Sequence, residues 1–134
     1  MLNRPNPVCA ERGSRRSRLS IGIADDDADL RNVLTQFLKL LGHDVVCAVE
    51  DGGDLLATSA DHEFDLVLVD FDMPFLDGLA VAEELAKTKG IPVIMMSGHS
   101  DMQHVVRNNE PIAEYLIKPI TIEALDAAIR SATR

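Results

Sequence analysis

The sequence predicts an α/β fold: an open, doubly wound sheet of five parallel strands with helices on both faces. Two observations carry that expectation. From Leu19 onward, short apolar runs alternate with amphipathic segments. Three of the runs are rich in Val, Ile and Leu with little polar alternation, which suits strands covered on both faces. Five strand–helix units in residues 19–134 leave few right-handed topologies.

The elements follow in order. Apolar runs at Leu19–Ala24, Val45–Val49, Leu66–Val69, Ile91–Met96 and Ala113–Ile117 read as strands. Between the first two, Leu30, Val33, Leu34, Phe37, Leu38 and Leu41 recur at helical spacing, with Asp27 as N-cap and Gly42 just past the end. A second helix fits 53–59 and a third Leu79–Lys87. A last one fits Ile122–Ala132 behind Thr121 as its cap. Ser100–Asn109 has only Met102, Val105 and Val106 as apolar anchors and reads as a short, marginal helix. The pattern is (βα)5, and a flavodoxin-like strand order 2-1-3-4-5 is expected.

Composition narrows the function. The 134 residues carry a formal net charge of −9, distributed unevenly. Residues 1–18 hold five Arg against one Glu, a net +4; the other eight basic and 21 acidic side chains give residues 19–134 a net −13. With two Pro, repeated Ser and no hydrophobic period, 1–18 reads as a disordered basic tail, the alternative being an arm for nucleic acid or anionic lipid. One Tyr, four Phe and no Trp disfavour a base-stacking nucleic-acid binder. No apolar run reaches the roughly 18 residues of a membrane span, and the first 30 residues lack a secretory h-region. Cys9 and Cys47 form neither a disulfide framework nor a metal pattern. A cytoplasmic protein without a membrane or direct nucleic-acid partner is expected.

Polar residues gather where each predicted strand ends. Strand one ends in Asp25-Asp26-Asp27, strand three in Asp70, strand four in Ser97 and strand five in Lys118. Open α/β sheets bind ligands at these carboxyl ends, near the switch in strand order. Strands one and three are neighbours in the expected order, so Asp25, Asp26 and Asp70 converge. Crowded carboxylates favour a cation, and an open all-oxygen site favours Mg2+. Taken singly, each element has a plainer reading: Asp25–Asp27 as a helix cap, Asp77-Gly78 as a turn, Ser97-Gly98 as a loop, Lys118 as a surface cation. Four such coincidences at four strand ends are what point to a site.

Ile23-Ala24-Asp25-Asp26-Asp27, Leu66–Gly78 with its D-x-D-M-P-x-x-D-G stretch, Val93–Gly98 and Tyr115-Leu116-Ile117-Lys118-Pro119 together resemble the receiver domain of bacterial two-component response regulators, of the stand-alone, chemotaxis-regulator-like kind. The resemblance spans Leu19 to the C-terminus. It implies that Asp70 accepts a phosphoryl group from a phosphohistidine on a histidine kinase or phosphotransfer protein. It implies Mg2+ held by Asp26, Asp70, the main-chain carbonyl of Asp72, and Asp25 directly or through water. Lys118 and Ser97 then contact phosphoryl oxygens, with Lys118-Pro119 in the cis form usual in the family. Ser97 and Tyr115 act as the switch, biasing a surface made by Ser100–Asn109, the fifth strand and the last helix toward a downstream protein target.

Ser97 stands where Thr is also common, and Asp72 and His99 fill positions that vary in the family. Tyr115 is otherwise an ordinary edge-strand aromatic and His99 a solvated loop histidine; His43, His62 and His104 form no ligand pattern. The resemblance implies a signalling domain rather than an enzyme, acting as a monomer or a weak phosphorylation-dependent dimer. With the last helix ending near Ala132 and the sequence at Arg134, a stand-alone receiver is expected, a receiver cut from a longer regulator being the alternative. Two readings compete: a haloacid-dehalogenase-like phosphatase using Asp70 and Asp72, and a non-phosphorylated receiver-fold adaptor.

Overall fold

The computed structural model describes residues 18–71, 78–98 and 112–133. They form β1 (Ser20–Ala24), α1 (Ala28–Leu40), β2 (Asp44–Val49), α2 (Gly52–Ser59), β3 (Leu66–Asp70), α3 (Gly78–Thr88), β4 (Val93–Ser97), β5 (Ile112–Ile117) and α4 (Ile122–Ala132). The strands pair in parallel in the order β2-β1-β3-β4-β5, as the sequence predicts. The basic tail through residue 17, the Ser100–Asn109 helix, Asp72, His99 and His104 lie outside the described residues.

Burial tracks each strand's place in the sheet. The central β3 and β4 are buried at every position, while the edge strand β2 alternates between exposed and half-buried. Strand alternation then sorts the core into two layers. Val67, Val69, Val93 and Met95 face Leu55, Val81, Ala82 and Leu85 of α2 and α3. Leu66, Leu68, Ile94 and Met96 face Leu34, Leu38, Leu125 and Ile129 of α1 and α4. Each helix buries a stripe and none is long and apolar enough, among the described residues, to cross a membrane.

The helix ends obey local chemistry. Asp27 accepts hydrogen bonds from the N–H groups of Asp29 and Leu30 at 3.0 and 3.2 Å, and Thr121 from that of Ala124 at 3.1 Å. Gly42 follows α1 at φ +92°, the left-handed turn that glycine enters without strain. Strand bounds shift slightly from the sequence reading. β4 begins at Val93 because Pro92 has no N–H to give the ladder, although its carbonyl still accepts from Val67 N–H at 3.2 Å. β3 extends one residue further to include Asp70, which lies level with Met96.

Candidate functional site

Register builds the site before any side chain is considered. β1 and β3 pair Ile21 with Leu66 through Ala24 with Val69, so the next residues along, Asp25 and Asp70, come level. β4 and β5 pair Ser97 with Ile117, and the Lys118 N–H donates to the Ser97 carbonyl at 2.7 Å. Four polar residues from four strands therefore meet at one end of the sheet. The Lys118-Pro119 bond is cis, as the sequence resemblance implies.

The side chains converge further. Lys118 Nζ lies 3.0 Å from Asp25 Oδ2 and 3.3 Å from Asp70 Oδ1. Asp25, Asp70 and Ser97 are buried, whereas Asp26 is exposed. Burial alone would push the Lys118 pKa down, but the neighbouring Asp25 carboxylate, and Asp70 beside it, outweigh that and hold it above the ordinary lysine value.

Asp25 is held on every side. Its N–H donates to the Val49 carbonyl at 3.0 Å, its Oδ1 accepts from the Asp27 N–H at 2.9 Å, and its carbonyl accepts from Arg31 Nη1 at 2.7 Å. Oδ2 is different. Among the described residues its partner is the Lys118 ammonium at 3.0 Å, a charge contact that falls outside strict hydrogen-bond geometry.

That oxygen bears on cation binding. Carboxylate oxygens of Asp25, Asp26 and Asp70 all lie within 4.8 Å of one another. Three carboxylates face the Lys118 ammonium and, on the Asp25 main-chain oxygen, the Arg31 guanidinium, so formal negative charge is still in excess, and Asp25 Oδ2 keeps room to accept. The donor set is all oxygen and open on the Asp26 side. It fits a hard divalent cation.

Two residues of the site carry roles that sequence reasoning missed. Gly78 reads as turn chemistry, yet a Cβ there would strike the Asp70 carbonyl oxygen and come within 2.9 Å of Met95 Sδ. Glycine is needed because α3 starts directly against the end of β3. Arg31 lies near the positive end of the α1 dipole, where a cation is unfavourable, and that misplacement is the signal that was available. Tyr115 is half-buried against the α2–α3 side of the core, level with Met95 on β4. His43 precedes β2 at the far end of the sheet, and Cys47 sits mid-strand opposite Gly22; neither belongs to the crevice. Burial raises the Cys47 thiol pKa, a backbone hydrogen bond involving Ile23 opposing it.

The sequence matches the response regulator receiver domain family over residues 21–130. The chain belongs to the receiver-domain family. Among curated relatives, the probable transcriptional regulator ycf27 of Porphyridium aerugineum is 36% identical over 113 residues, covering 84% of this chain and 47% of its own length. The tetrathionate response regulatory protein TtrR of Salmonella typhimurium is 33% identical over 115 residues, 84% of this chain and 55% of its own. The receiver thus spans about half the length of these relatives, which are named as regulators. Solved receivers share the fold. The signal receiver domain of a modulated diguanylate cyclase from Desulfovibrio desulfuricans superposes with a TM-score of 0.78 at 26% identity, covering 87% of this chain and 94% of that one. The Thermotoga maritima response regulator TrrA, solved in complex with Mg(2+)-BeF, gives 0.76 at 26% identity, covering 84% and 97%.

Proposed function

We propose that this receiver is a phosphoacceptor in a two-component relay, with Asp70 as the accepting residue. The observation that carries the reading is the half-buried Lys118 ammonium, 3.0 Å from the buried Asp25 and 3.3 Å from the buried Asp70. A carboxylate oxygen of Asp70 attacks the phosphorus of a phosphohistidine. A P–O bond forms and the P–N bond breaks, and the released electron pair stays on the imidazole nitrogen of the donor, which is a histidine kinase or phosphotransfer protein. Asp25, Asp26 and Asp70, with the Asp72 carbonyl from outside the described residues, would hold Mg2+, which when bound would neutralise their charge toward an incoming phosphoryl group.

The chain's own groups do the rest. Lys118 holds a second phosphoryl oxygen by charge and Ser97 donates its hydroxyl to a third. The charge gained at Asp70 draws Ser97 and its loop inward, and Tyr115 follows. The output is binding of a downstream protein, in the cytoplasm, without a catalytic turnover of the domain's own. Residues 19–134 form this unit, Arg18 joins it through its two hydrogen bonds to Asp44, and the basic residues before Arg18 are a tail.

Incubation with Mg2+ and beryllofluoride or acetyl phosphate tests the reading on wild type and Asp70→Asn. An adduct in wild type that Asp70→Asn abolishes is the expected result. Repeated turnover of a phosphate ester would instead favour the phosphatase using Asp70 and Asp72. No adduct in either protein would favour the adaptor.

A further inference from the structure

We propose that Arg31 is a positioning residue: it fixes the peptide plane from which the cation-binding carboxylate of Asp26 projects. The inference rests on the metal-assisted reading above. Arg31 Nη1 donates to the main-chain oxygen of Asp25 at 2.7 Å, a part-buried contact reaching back from α1 to the end of β1. The Asp25 carbonyl and the Asp26 N–H belong to one rigid, planar unit, so holding the oxygen orients everything in it, including the Asp26 Cα.

The surrounding contacts make that oxygen the deciding one. Upstream, the Asp25 N–H is tied to Val49, and downstream the Asp27 N–H is tied to Asp25 Oδ1. Between two fixed points a peptide still rotates, by opposite changes in the torsions on either side. Arg31 blocks that rotation. Asp26 is exposed, and among the described residues no hydrogen bond or ion pair holds its carboxylate, so its direction depends on its backbone.

A guanidinium beside a cation site acts in two opposed ways. Its charge repels a divalent ion, whereas its hydrogen bond preorganises a ligand. Removing it therefore separates the two, because charge alone predicts tighter binding and positioning predicts weaker. The experiment is a Mg2+ titration followed by amide chemical shifts, with amide hydrogen exchange recorded without metal. Arg31→Met is expected to raise the Mg2+ Kd about five- to tenfold, less than the full worth of a charge-assisted hydrogen bond because the bond acts on the cation only by orienting Asp26, and to speed exchange at Asp26 and Asp27. Arg31→Lys keeps a donor of similar reach and stays within about twofold of wild type. If Arg31→Met fails to fold by circular dichroism, Arg31→Gln, too short to reach the carbonyl, is expected to show the same weakening. Wild-type binding with unchanged or tighter binding in Arg31→Met, or in Arg31→Gln in its place, overturns this inference alone. Equal weakening in Arg31→Lys does so too. No saturable Mg2+ shift in the wild type overturns both this inference and the metal-assisted reading beneath it.

Discussion

At the amino ends of the strands, Asp44 takes two hydrogen bonds from Arg18, at 3.0 and 2.9 Å, and Asp65 accepts one from the Ser20 N–H at 2.8 Å. At the carboxyl ends, Asp25 and Asp70 share one ammonium, at 3.0 and 3.3 Å. The Arg18 and Asp44 side chains are 71% and 49% exposed, and those of Lys118 and Asp25 are 26% and 0% exposed. Similar charges thus meet opposite surroundings. At the first end water screens them. At the second end the two carboxylates are desolvated and share one ammonium, an arrangement that a bound cation would relieve. The difference separates charge that tidies a surface from charge held ready for chemistry.

Lys118→Met breaks the contrast most sharply, since it takes from the two buried carboxylates the ammonium they share. In Mg2+-free buffer, urea unfolding is expected to show a loss of about 3 kcal/mol, the lower end of the range for breaking a buried pair because Lys118 is partly exposed. Added Mg2+ is expected to restore part of it. A loss below about 1 kcal/mol would put this pair in the class of exposed ion pairs. The pH dependence has a definite sign. The Lys118 pKa is raised in the folded state, so the stabilisation is fully present at neutral pH and disappears as pH rises through that raised value.

Gly78→Ala tests whether the crevice is also packed as a core. The added methyl meets the Asp70 carbonyl oxygen, which belongs to the rigid end of β3, so the strand or the start of α3 has to move. The expected cost is about 2 kcal/mol in unfolding free energy, as for overpacking elsewhere. Because the contact is with Asp70 itself, beryllofluoride adduct formation should weaken along with stability. Gly53→Ala is the control, its Cβ finding only an Asp51 oxygen at 3.4 Å. Equal stability in the two variants would show that α3 has room to retreat from β3.

Much of this was legible beforehand because it depends on period and punctuation. The buried runs of β3 and β4, the Asp27 and Thr121 caps and the Gly42 stop are local signals, and the structure places them within a residue or two. The convergence of Asp25 with Asp70 was legible as well, given the strand order, because register brings strand ends level. What the sequence withheld were contacts between a side chain and a backbone atom. Nothing in the Asp77-Gly78 dipeptide distinguishes a turn from a helix start pressed on a carbonyl. Arg31 leaves no periodic trace, since it donates to a main-chain oxygen six residues back, and its place near the positive end of the α1 dipole marks it without naming its partner.

Arg18→Ala supplies the small end of the comparison. The bidentate geometry is good, but both partners stand in water, so truncation is expected to cost no more than about 0.5 kcal/mol in low salt. Even that should fade in about 1 M salt, where the screening length is shorter than the width of a side chain. The amino end is also held without charge, by the Leu19 N–H on His43 Nδ1 at 3.1 Å and the Asp44 N–H on the Leu19 carbonyl at 2.9 Å. Those bonds survive the substitution and keep β1 paired with β2. Urea midpoints at two salt concentrations, for Arg18→Ala and Lys118→Met side by side, measure the contrast directly. The first deficit should collapse with monovalent salt and the second should persist, because salt screens the exposed pair, whereas Lys118 meets the buried Asp25 and Asp70 carboxylates at contact distance, where screening is weak. Parallel collapse in both variants would mean that the crevice is wetter than its burial indicates, and that its carboxylates are no more primed than those at the other end of the sheet.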